Sequence, residues 1–210
     1  MPVAANDSVE PVDLGDVLAR RHMTRNFAPE PVERSTLERV LAAALRAPSA
    51  GNTQGCDLVV LEGSGQTARY WAATTDAAWR ERSRRYRGLA NAPVIVLPFA
   101  DPDAYAARYE EPDKRRGGDP PVVWVVPYWH VDAAFATMAM ILAATDAGLG
   151  VAFLGNFRGE AMLKEVLGVP EQRCWLGAVL LGVAARPDPP SSSLRRRRRG
   201  LDDVVHRGKW

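Results

Sequence analysis

The chain has 210 residues, 47% hydrophobic and 25% charged, the composition of a folded protein with one sizeable core; a disordered or fibrous chain is excluded. Its 27 basic and 25 acidic residues leave a formal charge of +2, so no global field draws it to nucleic acid or a membrane surface. Two cysteines, Cys56 and Cys174, are too few for a disulfide framework or thiolate cage and read as core thiols; three scattered histidines show no metal-ligand spacing.

Residues 1–12 are small, polar and proline-bearing and read as a flexible leader before one domain at 13–210. Met1 to Glu10 lacks the basic start and apolar run of a secretory signal, so a cytoplasmic location is expected. Asp13 is placed to cap a short helix bearing Leu14, Val17 and Leu18, which runs into Arg20-Arg21-His22-Met23-Thr24-Arg25-Asn26-Phe27. Arginine presents a planar fork of donors matched to phosphate oxygens, so this segment is a candidate anion clamp; the plain alternative is a solvated helix end.

Ser35-Thr36-Leu37-Glu38 has capping-box spacing, and Leu37, Val40, Leu41, Ala44 and Leu45 repeat at helical intervals until Pro48 stops the helix. The loop that follows, Arg46 to Cys56, offers Ser49, Asn52, Thr53 and Gln54 between that helix and a strand at 57–61, as a ligand cradle or as an ordinary polar turn. Gly63-Ser64-Gly65-Gln66-Thr67-Ala68 then fits a Gly-x-Gly-x-x-Ala dinucleotide fingerprint leading into a helix through about residue 87. The fingerprint lacks its acidic partner in the right place, because the next strand, Pro93 to Phe99, reaches Asp101 too late.

Residues 101–127, rich in Pro, Gly, Arg and Asp, read as a lid or loop insertion, and Trp124, Tyr128 and Trp129 as candidate substrate-pocket residues. Ala133 to Ala144 carries no charge but is too short between Asp132 and Asp146 to span a bilayer, so the helix of 130–150 belongs in the core or a subunit interface. A strand at Val151 to Leu154, a tight Gly155-Asn156-Phe157 connection, a helix from Glu160 to Leu167 and a central apolar strand from Trp175 to Ala184 follow. The tail 187–210 holds five arginines, Arg195 to Arg199, which suit a nucleic-acid arm or, more economically, one bound phosphate.

Four features in this order, the 21–27 arginine segment, Pro48 to Gln54, the apolar helix that begins at Asp132 and ends Gly148-Leu149-Gly150, and the basic tail, resemble the nitroreductase family of FMN-dependent oxidoreductases. The resemblance runs from about residue 14 to the end. It implies an α+β three-layer sandwich with a central mixed, mainly antiparallel sheet, in a homodimer whose C-terminal tails are exchanged. FMN would be the cofactor and NADPH or NADH the reductant, with a small nitroaromatic, quinone or similar conjugated electron acceptor in a ping-pong cycle; nucleic acid and membrane are not expected partners.

By that resemblance, Arg21 and one or two of Arg196, Arg197 and Arg198 would grip the FMN phosphate, Arg25 would support the reduced ring, and His22 and Met23 would add contacts. Pro48, Ser49, Ala50, Asn52 and Gln54 would come from the other subunit, and Gly155 and Asn156 would offer backbone groups near the reactive edge. No protein acid, base or nucleophile is implied, because the cofactor carries the chemistry. Three residues depart from the family pattern: Met23 where serine is common, Gly55-Cys56 where Pro-Trp is common, and Ala139 where asparagine is common.

Overall fold

A computed structural model describes residues 13–118, 120–188 and 190–210; the expected leader 1–12 lies outside them. Five antiparallel strands form the centre: β1 (Cys56–Glu62), β2 (Val94–Ala100), β3 (Gly150–Gly155), β4 (Cys174–Trp175) and β5 (Gly177–Gly182). The order is β1-β2-β5-β3, with β4 also on β2. Every described pairing is antiparallel, so the expected mixed sheet is corrected. That also removes the dinucleotide fold, whose fingerprint needs a parallel βαβ unit; a side chain at Gly63 or Gly65 would meet nothing within 4 Å, so neither glycine serves a close approach.

Alternation along β2 sends its side chains to two cores. Ile95, Leu97 and Phe99 face one cluster with Tyr70 and Trp71 of α3 (Gly63–Thr74), Leu89 of α5 (Tyr86–Ala90) and Leu163 of α8 (Glu160–Leu167). Val94 and Val96 face the other, with Leu37, Val40 and Ala44 of α2 (Arg34–Ala44) and Ala136, Met140 and Ala144 of α7 (Tyr128–Asp146). Helices therefore cover both sheet faces, which makes the three layers.

Local chemistry moved several boundaries. Glu33, not Ser35, caps α2: its carboxylate accepts from the amides of Ser35 at 2.9 Å and Thr36 at 2.8 Å, and Glu38 pairs instead with Arg34. These hydrogen bonds, led by the one from the Ser35 side chain, draw the Glu33 pKa down to about 2. The long helix expected after Gly63 is three, α3, α4 (Ala77–Arg82) and α5. It breaks where the Thr74 hydroxyl donates to the Tyr70 carbonyl and Asp76 caps α4 through the Trp79 amide.

The expected 101–127 lid contains a regular helix, α6 (Pro102–Tyr109), capped by Asp101, with Tyr105 fully buried. Beyond it Trp124 packs edge-to-face on Tyr109, with ring centroids 4.7 Å apart, and on Trp129 at 5.9 Å, so the segment is stapled to the fold. The expected 175–184 strand breaks at Leu176, whose amide donates to the Pro98 carbonyl. Both cysteines are half-buried: Cys56 packs against the α2–α7 core, where burial pushes its thiol up to about 11, whereas Cys174 belongs to neither core.

Helix α7 starts four residues before Asp132. Its inner side is buried, while Phe135 and Met138 on its outer side are 49% and 40% exposed. Leu14 and Leu18 of α1 (Leu14–Arg20), which packs on α7, are exposed as well. No described helix is long and apolar enough to cross a membrane.

Candidate functional site

The 21–28 segment leaves α1 in extended form and is pinned on three sides. Thr24 donates its amide to Val151 of β3 at 2.8 Å, Phe27 to Gly88 of α5 at 3.0 Å, and Ala28 to Val183 at 2.9 Å. Gly88 makes the approach possible, since a Cβ there would lie 2.6 Å from the Arg25 carbonyl oxygen. Extended geometry sends alternate side chains to opposite sides. Met23 and Arg25 line a cavity of about 390 Å³ with Trp79, Ser83, Arg85 and the β3 residues Ala152 to Leu154. His22 lines a separate cavity with Arg20 and Thr24, so it does not join Met23 and Arg25.

Arg25 is half-buried and held from two directions. Its backbone amide donates to both Asp188 carboxylate oxygens, at 3.1 and 3.2 Å, and its Nη1 to the Met23 carbonyl at 2.7 Å. The Met23 thioether accepts from the Phe153 amide at 3.2 Å, so the residue that replaces the family's common serine still ties the segment to β3. The arginine cavity adjoins one of about 530 Å³; Trp79, Leu89, Phe153 and Leu154 are walls of both. Gly155 lines the larger compartment. Asn156 turns its amide away to Glu160, at 2.6 Å, and to the Trp175 carbonyl, at 3.3 Å. Burial pushes the Glu160 carboxyl up, but hydrogen bonds from Lys164, Asn156 and the Trp175 amide outweigh it and hold the group below its ordinary value.

The 48–55 loop lies elsewhere, against the start of α7. Gly51, Asn52 and Gln54 all have positive φ, at 64°, 54° and 57°, a costly arrangement for the two that are not glycine. Side chains hold it there. Asp132, 6% exposed, accepts from the Ala50 amide and from the Tyr105 hydroxyl, each at 2.7 Å. Arg108, one turn along α6 from Tyr105, donates to the Gly51 carbonyl at 2.8 Å and is itself fixed by Asp113. Ser49 Oγ accepts from the Gln54 amide at 2.9 Å. Burial and the bond to Asp132 raise the Tyr105 phenol well above its ordinary value, so it remains a donor.

Gly55 explains one departure from the family pattern: a Cβ there would lie 2.6 Å from the Tyr105 ring. Pro48, Asn52 and Gln54 are exposed, and Pro48, Ser49 and Gln54 border a small cavity of about 50 Å³. Within one chain the loop thus shares no described cavity with Arg25.

Arg21 is half-buried at the end of α1, and Arg196 and Arg198 lie on an exposed tail; none of the three lines a described cavity. Nor do Trp124, Tyr128 and Trp129, which pack on one another and on Tyr105 instead. Sequence reasoning missed the loop's clamps, Asp132, Tyr105 and Arg108, and the aromatic walls Trp79 and Phe153. The visible clue was Asp132 itself, an acid at the head of an uncharged run that no surface role explains.

A three-layer antiparallel sandwich with an arginine-bearing cleft at the end of β3 and a clamped polar loop beside a bare helix defines the class, and the family model agrees. The nitroreductase family model matches residues 18–183, and the chain belongs to that family. A protein named NADH dehydrogenase/NAD(P)H nitroreductase from Archaeoglobus fulgidus is 28% identical over 193 residues, covering 90% of this chain and 94% of that one. Among solved structures, the nitroreductase CinD from Lactococcus lactis, in complex with nicotinic acid, has a TM-score of 0.73 at 16% identity, over 94% of this chain and all of that one. A protein described as a nitroreductase from Desulfovibrio desulfuricans, in complex with FMN, has a TM-score of 0.66 at 22% identity, over 93% and 96%.

Proposed function

We propose that the chain is an FMN-dependent NAD(P)H oxidoreductase that acts as a homodimer on a nitroaromatic, quinone or similar conjugated acceptor. The observation that carries this reading is the meeting of Met23, Arg25 and Gly155 on one pair of joined, aromatic-walled compartments in a nitroreductase-family chain. The family membership, the Archaeoglobus relative's name and the FMN-bound neighbour support the cofactor and reductant.

The donor set suits the cofactor. Arg25 is fixed by its own backbone and by Met23, so its positive charge stands at the cleft without needing to reorganise. FMN, when bound, supplies the hydride chemistry; the protein binds, orients and excludes water. Arg21 and Arg196 or Arg198 would hold its phosphate, with His22 as a neighbouring contact. Asn156, bonded to Glu160 and the Trp175 carbonyl, steadies the turn whose backbone would face the ring's reactive edge. A ping-pong order, in which NADP+ or NAD+ would leave before the acceptor enters, suits a cofactor that would hold two electrons between the half-reactions, and it needs no protein acid or base.

The dimer reading accounts for two surfaces at once. The clamped loop sits at the head of α7, whose outer Phe135 and Met138 are bare, and the tail ends in exposed Leu201, Val204, Val205 and Trp210. A second copy would cover both and lay Pro48, Ser49, Ala50, Asn52 and Gln54 over the first copy's cleft, with the tail embracing its partner. A single domain in the cytoplasm is part of the same reading.

The purified protein should be yellow, and NADPH or NADH should bleach its visible band. Arg25→Ala should weaken FMN binding about 10- to 100-fold, the range for losing a charged hydrogen bond. A colourless preparation that takes up no added FMN would sink the proposal.

A further inference from the structure

Helix α6 grips the 48–54 loop at two consecutive residues, more firmly than a connector of that length requires. Tyr105 donates its hydroxyl to Asp132 at 2.7 Å, and the same carboxylate oxygen accepts the Ala50 amide, also at 2.7 Å. One turn on, Arg108 donates its Nε to the Gly51 carbonyl at 2.8 Å, while both of its Nη groups are held by the Asp113 carboxylate at 2.6 and 2.7 Å. The backbone of Gly51 is also packed tightly: a Cβ there would lie 3.0 Å from the Tyr109 ring and 3.3 Å from the Lys114 stem. Just beyond Gly51 such contacts stop. Asn52 and Gln54 are exposed, and the Asn52 side chain makes no hydrogen bond among the described residues. Both residues have left-handed backbone, which is costly without glycine, so a loop released by α6 would relax out of it.

We infer that Tyr105 and Arg108 are positioning residues that act across the subunit boundary: α6 of one copy holds Asn52 and Gln54 in the geometry in which they would meet the flavin in the cleft of the other. The inference rests on the FMN-dependent dimer proposed above, and its test separates the two. Neither residue lines the Arg25 compartment of its own chain, and the loop shares no described cavity with that compartment. What α6 does for a bound cofactor it therefore does for the second copy's. A loop already in place costs no ordering when the ligand arrives, whereas one that holds the binding geometry only part of the time weakens the apparent affinity by that fraction. Arginine suits the task because its planar fork serves the Gly51 carbonyl and the Asp113 carboxylate together; lysine keeps a donor but not the fork.

Equilibrium dialysis of the full chain against FMN gives the Kd for wild type, Tyr105→Phe, Arg108→Ala and Arg108→Lys. Tyr105→Phe and Arg108→Ala should each raise it about tenfold, and Arg108→Lys only a few-fold. The decisive measurement is a mixed dimer of an Arg25→Ala copy and an Arg108→Ala copy, purified through a different tag on each. If Arg108 acts across the boundary, one site combines both defects and the other has neither, so the mixed dimer binds one FMN with wild-type affinity. If Arg108 serves its own cleft, each site carries one defect; the absence of a wild-type site overturns the inference. An unchanged Kd in Tyr105→Phe and Arg108→Ala, even with lowered thermal stability, also overturns it, as does a chain that binds FMN yet forms no mixed dimer. Should Arg108→Ala fail to fold, Tyr105→Phe takes its place. Wild type that binds no FMN sinks the oxidoreductase reading and this inference together, whereas tight wild-type binding with unaffected variants sinks the inference alone.

Discussion

The two faces of the sheet are built from different materials. Alanines on α7, together with Val, Leu, Ile and Met side chains, close the α2–α7 face. Tyr70, Trp71, Phe27, Phe99 and Trp175 fill the α3–α8 face, and the joined compartments open on that side of the molecule. Small and aliphatic side chains let a helix lie close and interlock, whereas large rings meet edge-on and leave gaps. The tight face can therefore hold a strained loop still, and the loose face can admit a ligand.

That contrast can be broken from its tight side first. Met140, fully buried on the inner side of α7, should cost about 2–5 kcal/mol when changed to alanine, read by urea unfolding, because its neighbours cannot collapse into the space. Exposed Phe157 on the loose side should cost no more than about 0.5 kcal/mol by the same measurement. Comparable losses at the two sites would erase the distinction.

Asp132→Ala should come next. It strips the acceptor from the Ala50 amide and the Tyr105 hydroxyl, at about 1–3 kcal/mol for each donor left buried. Hydrogen exchange should show the Ala50 amide deprotected while β2 amides stay slow; a uniform change would mean that the loop is not separately clamped. Gly55→Ala should destabilise by about 1–3 kcal/mol, since Tyr105 must move off its present position, and Gly55→Ala with Tyr105→Leu should recover part of the loss.

The smallest effect is electrostatic and lies on the α2 cap. Glu33 has its folded pKa lowered from 4.5 to about 2, so its contribution is present above about pH 4.5 and is lost as pH falls toward 2. Wild type should exceed Glu33→Gln in thermal stability at pH 6 and converge with it near pH 2. A constant difference across that range would show that charge plays no part in the cap.

Much of the architecture was legible because it depends on local pattern. Val94, Ile95, Val96 and Leu97 can only be a strand buried on both faces, and Leu37, Val40 and Ala44 only a helix stripe. The 21–27 arginines and the 48–54 loop could be singled out because their donors outnumber what a turn needs. What failed did so through contacts distant in sequence or through competition between neighbouring caps. Residues 101–127 looked like a lid because Pro, Gly and Arg conceal that Tyr105 is a core residue. Ser35 looked like a cap because spacing alone does not reveal that Glu33 reaches the same amides with a full charge.

The order of residues by itself determined the elements, the family and the candidate groups, since periodicity, capping chemistry and motif order are properties of short stretches. Only the tertiary structure decided that Met23 and Arg25 share a wall while His22 faces away. It alone decided that Asp132 secures a loop 82 residues earlier in the chain, and that Tyr105 and Arg108 reach that clamp from α6. Those outcomes depend on which surfaces the sheet brings together, and a buried polar group takes its meaning from the partner it finds across that fold.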